Sequence, residues 1–173
     1  MDRRNLSVEI LSIARGIKLL LMDCDGVLTD GRLYFSAQGE TMKVFNVRDG
    51  QGLADWHREG FVSGIISGRD AGEIISVRAK ELGIKHICVA SPDKIQDLET
   101  IINLEGVSAG EVAFIGDDTG DLGVMSRVGL PAAVADADPS LKVAASIVTE
   151  KNGGRGAVRE VIDFILNAKL SDE

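Results

Sequence analysis

The sequence predicts an α/β fold: a doubly wound, Rossmann-like parallel sheet with a β-hairpin flap. Three observations carry that expectation. Short apolar runs at 17–22, 61–66, 85–89, 112–115 and 131–135 alternate with helix-patterned segments, the order that builds parallel strands covered on both faces. The first run is apolar almost throughout, as a strand buried on both faces must be. Glycine is abundant, 20 of 173 residues, while aromatics make up only 4%; that suits many tight strand-to-helix turns better than a β-sandwich.

Each element has its own signal. Residues 5–15 place Leu6, Ile10, Leu11 and Ala14 at helical spacing, predicting a short amphipathic helix before the first strand at 17–22. Two short β-like runs, 32–36 and 41–47, flank Ala37-Gln38-Gly39-Glu40 and read as a hairpin. A helix follows over 49–58, then a strand over 61–66 ending in Ser67-Gly68-Arg69. Asp70 and Glu73 resemble an N-cap and its partner, opening a helix that stops at Gly83. After a strand over 85–89, Ser91-Pro92 opens the next helix with proline in its first turn and Lys94 close behind. The strand at 112–115 ends in Gly116-Asp117-Asp118-Thr119-Gly120-Asp121, and a helix runs on to Val128. A strand at 131–135, a short helix from Asp138-Pro139 and a strand at 146–149 follow. Asn152-Gly153-Gly154-Arg155-Gly156 reads as a mobile loop before a closing amphipathic helix over 157–168. The whole chain, 1–173, is expected to be a single domain.

Bulk properties narrow the function. A net charge of −8 argues against a broad nucleic-acid or anionic-membrane surface, though not against an anionic small substrate held in a local field. Cys24 and Cys88 stand far apart, so no disulfide framework is expected and the cytoplasm is the natural compartment. No signal peptide and no membrane-spanning run are read.

The chemistry gathers at strand ends, where ligands sit in such folds. Asp23-Cys24-Asp25-Gly26 ends the first strand. Two acids there are costly unless a cation or donors compensate; they can serve as a carboxylate nucleophile and a proton-exchanging acid. Asp117 and Asp121, four apart, can join Asp23 in an oxygen-rich nest suited to Mg²⁺. Ser67 beside Gly68 offers a hydroxyl and backbone N–H groups to a phosphoryl oxygen, and Lys94 can offset charge on nucleophile and phosphoryl group. Taken singly, each has a bland reading as a turn or solvated residue; their order and spacing make the joint set point to phosphoryl transfer onto aspartate. Asp70 and Asp138 read as caps, His57 and His86 as structural, and Cys24 as a small buried filler.

Asp23 to Thr29, Ser67-Gly68-Arg69, Lys94 and Gly116 to Asp121 together resemble the four motifs of the haloacid dehalogenase superfamily. The resemblance implies that Asp23 is the nucleophile and Asp25 the general acid/base. It further implies that Mg²⁺ is held by Asp23, the backbone carbonyl of Asp25 and Asp117, with Asp121 supporting. No segment is long enough for the cap domain of larger relatives. Asp30-Gly31, Phe45 to Gly50 and Gly153 to Glu160 narrow the resemblance to phosphatases of 3-deoxy-D-manno-octulosonate (Kdo) 8-phosphate, which serve lipopolysaccharide biosynthesis. That likeness implies a capless homotetramer with hairpins at its centre. On the substrate side the candidates are Thr29, Arg48, Asp49, Ser67, Gly68, Arg69 and Arg155; the 152–156 tail reads either as a plain linker or as a flexible gate that offers Arg155 to an active site, a neighbouring subunit's. Two alternatives stand: a phosphatase for a nine-carbon keto-sugar phosphate (KDN or sialic acid 9-phosphate), and an inert sugar-phosphate-binding domain of the same fold.

Overall fold

The computed structural model describes residues 3–70 and 72–170. Six parallel strands form the main sheet: β1 (Leu19–Met22), β4 (Val62–Ile66), β5 (His86–Cys88), β6 (Val112–Gly116), β7 (Leu130–Ala133) and β8 (Ile147–Val148), in the order β5-β4-β1-β6-β7-β8. β2 (Tyr34–Ser36) and β3 (Gly39–Met42) pair antiparallel as a separate hairpin. The helices are α1 (Arg3–Gly16), α2 (Val47–Arg58), α3 (Gly72–Leu82), α4 (Lys94–Glu105), α5 (Leu122–Met125), α6 (Pro139–Ala144) and α7 (Ala157–Leu170). α1, α2, α3 and α7 form one contacting layer and α4, α5 and α6 the other.

β1 lies at the centre because it is apolar on both faces: all four of its residues are buried. Its register sets Met22 level with Ile65 of β4 and with Ile115 of β6. The carboxyl ends of these three strands therefore lie within one residue of one another. The chain moves outward from β1 through β4 to β5, then returns to β6 on the other side. That reversal, between β1 and β6, is the crevice where ligands bind in open α/β sheets. Trp56 of α2 and Phe114 of β6 are the largest fully buried side chains, and Trp56 Nε1–H satisfies itself on the Val62 carbonyl at 2.9 Å.

Several boundaries depart from the pattern. The second hairpin strand is β3, Gly39–Met42, rather than 41–47; Asn46 instead caps α2, accepting the Arg48 N–H on its side chain. Asp93, not Ser91-Pro92, caps α4, taking the N–H groups of Ile95 and Gln96. The helix read through Val128 ends at Met125, where the Ser126 and Arg127 side chains take the Gly123 carbonyl. Asp138 caps α6 as expected, on Ser140 N–H. Leu6 has no described side chain; α3 begins at Gly72, and Ala71, between it and the Asp70 read as its cap, lies outside the described residues.

The tail differs most. Residues 152–156 are packed rather than loose: Gly153 N–H donates to Asp136 Oδ1 and Gly154 N–H to the Val27 carbonyl, both at 2.9 Å. A Cβ on Gly153 would lie 1.7 Å from the Gly26 carbonyl oxygen. Glycine is needed there for close backbone approach, not for freedom of movement.

Candidate active site

The loop after β1 folds tightly around one atom. The N–H groups of Val27, Leu28 and Thr29 all donate to the Cys24 carbonyl. Thr29 is 1% exposed, and its hydroxyl oxygen accepts from Gly26 N–H and Gly31 N–H. Thr29 thus shapes the loop that carries Asp23 and Asp25, and it does not line the cavity they face. Gly26 adopts φ +91°, and a Cβ there would lie 2.0 Å from Asp117 Oδ2; only glycine lets the β1 and β6 loops approach so closely.

Asp23, Ser67 and Asp117 follow directly on the ends of β1, β4 and β6, while Lys94 opens α4. They line one cavity of about 310 Å³ together with Asp25, Gly68, Arg69, Asp118, Gly120 and Asp121. Lys94 Nζ lies 3.2 Å from Asp23 Oδ1 and 2.7 Å from Asp121 Oδ1. Asp121, 1% exposed, uses its other oxygen to accept from Asp117 N–H at 3.1 Å. Its role is therefore to hold Lys94 and the loop, and both its oxygens are engaged.

The acids are placed at an electrostatic cost. Burial pushes Asp23 up to about 6 despite the opposing Lys94 ammonium. Burial, then the charges of Asp23 and Asp121, push Asp117 up to about 8. Burial works against the Lys94 ammonium as well, but Asp23 and Asp121 outweigh it and hold its pKa above the ordinary value. Cys24 is buried and its thiol is pushed up, which suits a filler rather than a nucleophile.

The donor set fits a hard divalent cation. One ligand atom from each of Asp23, Asp117 and Asp121 falls within 4.8 Å of the others. Asp117 Oδ1 is buried and accepts no hydrogen bond, and buried Asp23 Oδ1 has the Lys94 ammonium at 3.2 Å as its ionic partner. Buried carboxylate oxygens with acceptor capacity to spare are what magnesium, which favours oxygen ligands, would satisfy.

Four residues read as substrate-facing lie elsewhere. Thr29 holds its loop. Asp49 is 1% exposed and accepts the N–H groups of Gly156 and Arg159, fixing the start of α7. Arg48 and Arg155 line a separate cavity of about 330 Å³, beside Arg159 and Lys151, which shares no lining residue with the acidic one. Arg155 also pairs with Asp30 at 3.3 Å.

Lys43 and Glu40 are the residues that sequence reasoning overlooked. Lys43 Nζ lies 2.5 Å from Asp25 Oδ1 and 2.8 Å from Glu40 Oε1, with its side chain wholly buried. Arg69 approaches Asp25 Oδ2 at 3.3 Å and Glu40 Oε2 at 3.2 Å. Burial opposes the Lys43 ammonium, but bonds to Asp25 and Glu40 hold its pKa above the ordinary value.

A parallel sheet with this carboxylate cluster at its switch point is a haloacid dehalogenase-type site. The haloacid dehalogenase-like hydrolase family matches residues 65–162. More of the chain aligns with particular relatives. The 3-deoxy-D-manno-octulosonate 8-phosphate phosphatase of Yersinia pestis is 44% identical over 93% of this chain and 86% of its own. The one from Escherichia coli K12 is 41% identical over 95% and 87%. A crystal structure of that phosphatase from Moraxella catarrhalis, in complex with magnesium, phosphate and Kdo, superposes with a TM-score of 0.90 at 37% identity, covering 94% of this chain and 93% of that one. The chain belongs to the haloacid dehalogenase-like hydrolases and, within them, to the family of these 3-deoxy-D-manno-octulosonate 8-phosphate phosphatases.

Proposed function

We propose that this protein is a magnesium-dependent phosphatase that hydrolyses Kdo 8-phosphate to Kdo and inorganic phosphate, serving lipopolysaccharide biosynthesis in the cytoplasm. The observation that carries the chemistry is Asp23 at the end of β1, its buried Oδ1 paired with the Lys94 ammonium 3.2 Å away. A Asp23 oxygen attacks phosphorus and the bond to the sugar oxygen breaks, with Asp25 giving that oxygen a proton. Asp25 then takes a proton from water as it attacks the aspartyl-phosphate, releasing phosphate and restoring Asp23. Asp23, the Asp25 carbonyl and Asp117 would hold magnesium, which would supply positive charge at the phosphoryl oxygens when bound. Lys94 offsets charge on Asp23, while Ser67 and Gly68 face the phosphoryl group.

The relatives' names support the eight-carbon substrate. We read the chain as a single domain that assembles as a homotetramer. Phe35, Met42, Val44 and Val47 leave an apolar surface on and after the hairpin, and a second copy would cover it. Among the described residues no helix is long and apolar enough to cross a membrane. The test is phosphate release from Kdo 8-phosphate beside a nine-carbon keto-sugar phosphate, for wild type and Asp23→Asn. Preference for the eight-carbon ester, lost in the variant, supports the proposal. Preference for the nine-carbon ester replaces the substrate, and no release from either leaves the inert-domain reading.

A further inference from the structure

Lys43 stands out because the pattern around it predicts the opposite environment. Its neighbours Met42 and Val44 are each 49% exposed, yet the Lys43 side chain is wholly buried. Burying an ammonium is costly unless it is paired and hydrogen-bonded. Here both conditions hold: Asp25 and Glu40 take the Lys43 ammonium, and the Arg69 guanidinium faces the same two carboxylates from the other side. Two cations and two anions thus alternate in a closed ring. Three of its members come from the hairpin segment and the loop after β4, and the fourth is Asp25. Only Asp25 and Arg69 of the ring line the acidic cavity; Lys43 and Glu40 lie behind them.

We propose that Lys43 is a positioning residue for Asp25. Its ammonium holds Asp25 by Oδ1 and leaves the buried Oδ2, which accepts no hydrogen bond, to carry the proton that passes to the leaving sugar oxygen, and it ties that orientation to the seated hairpin. Lys43 does not line the acidic cavity, so its loss should harm proton delivery more than nucleophilic attack. This rests on the reading of Asp25 as general acid/base.

The test separates leaving groups. An alkyl phosphate such as Kdo 8-phosphate needs its leaving oxygen protonated, whereas the p-nitrophenolate of p-nitrophenyl phosphate leaves without help. Rapid-mixing kinetics on both esters would be run for wild type, Lys43→Met, Lys43→Arg and Asp25→Asn, with Mg²⁺ binding followed by calorimetry. For Lys43→Met, turnover of the sugar phosphate should fall roughly 10²-fold, the lower end of general acid/base effects. p-Nitrophenolate should still appear in a burst near the wild-type rate, followed by slow turnover, and Mg²⁺ affinity should hold. Lys43→Arg, which keeps the charge, should recover part of the loss. Equal losses on the two esters in the burst phase, or no loss on either, would overturn the positioning role. If Asp25→Asn itself shows no dependence on leaving group, the acid/base reading fails first and the proposal with it. Should Lys43→Met not fold, Lys43→Gln, which keeps a neutral donor, carries the same comparison.

Discussion

Gly153→Ala tests whether the tail braces the catalytic loop. Gly153 has no positive φ, so alanine suits its backbone; the whole penalty comes from contact. The new Cβ would meet Gly26 O at 1.7 Å and Gly26 C at 2.5 Å. Ordinary C···O contacts lie near about 3.3 Å, so the two backbone segments must part by roughly 1.5 Å. Neither atom is the end of a flexible side chain. The Gly153–Asp136 and Gly154–Val27 hydrogen bonds resist the parting. Overpacking of this kind costs about 1–3 kcal/mol, and a backbone clash belongs at the upper end. Alanine's smaller unfolded-state entropy returns about 0.4–1 kcal/mol, leaving a net loss of about 2 kcal/mol. At roughly 2–4 °C per kcal/mol for a chain of this size, the melting temperature should fall by about 4–8 °C.

The second consequence is catalytic. Gly26 is pressed between Gly153 on one side and Asp117 on the other, so a displaced Gly26 disturbs the carboxylate nest. Thermal melts with and without Mg²⁺, calorimetric Mg²⁺ titration and phosphate release should show weaker metal binding and lower turnover beside the lower stability. Gly16→Ala is the control, since nothing lies within 4 Å of its added Cβ. If Gly153→Ala melts within about 1 °C of wild type and binds Mg²⁺ normally, the packing argument is wrong.

Three further outcomes are expected. Lys94→Met should fold yet lose at least about 10²-fold in turnover, because Asp23 and Asp121 lose their shared ammonium; unimpaired kinetics would reduce Lys94 to a bystander. In the metal-free protein Asp117 and Asp23 sit at about 8 and about 6, above their ordinary values. Their protonated forms are favoured by folding, so that stability is present below about pH 4 and is lost as pH rises through about 6 to 8; melts in chelator against pH check the sign. Because Mg²⁺ must displace those protons, its apparent affinity should rise over the same window, as calorimetry would report. Arg155 lines a cavity apart from its own subunit's acidic one, so it would serve the site of a second copy in the proposed homotetramer; Arg155→Ala should then weaken use of Kdo 8-phosphate, whose carboxylate an arginine can grip with two bonds, and spare a small aryl phosphate, as steady-state kinetics on both esters would decide. Its exposed pair with Asp30 contributes little to stability.

The fold was legible because buried parallel strands are continuous apolar runs, and β1, β4 and β6 each stop at a polar residue that the shared register then gathers. Asp23, Ser67, Asp117 and Lys94 could be placed on one edge for that reason alone. Boundaries blurred where two good caps compete: Asp93 lies two residues beyond Ser91, and only α4 itself tells them apart. Lys43 was invisible because a lysine between Met42 and Val44 reads as the solvent side of an alternating strand. Asp49 and the Gly153-Gly154 pair were misread for a different reason. Their partners lie more than a hundred residues away, and no local pattern records that an acid in α2 caps α7 or that one glycine makes room for another.

The two charged clusters at the site differ in a way that locates the cation. Around Asp25 the charges balance: two carboxylates, Asp25 and Glu40, meet two cations, Lys43 and Arg69. Around Asp23 they do not, since among the described residues Asp23, Asp117 and Asp121 share only Lys94. A buried excess of negative charge has two outlets, uptake of protons or uptake of a cation. The raised values of Asp23 and Asp117 are the first outlet, and the larger rise is at Asp117, whose buried Oδ1 accepts no hydrogen bond. A divalent ion would take the second and leave Asp23 ionised, as the proposed nucleophile must be. The balanced ring offers no such incentive, so magnesium would sit between the ends of β1 and β6, and the ring beside it would be given over to holding Asp25, as proposed above.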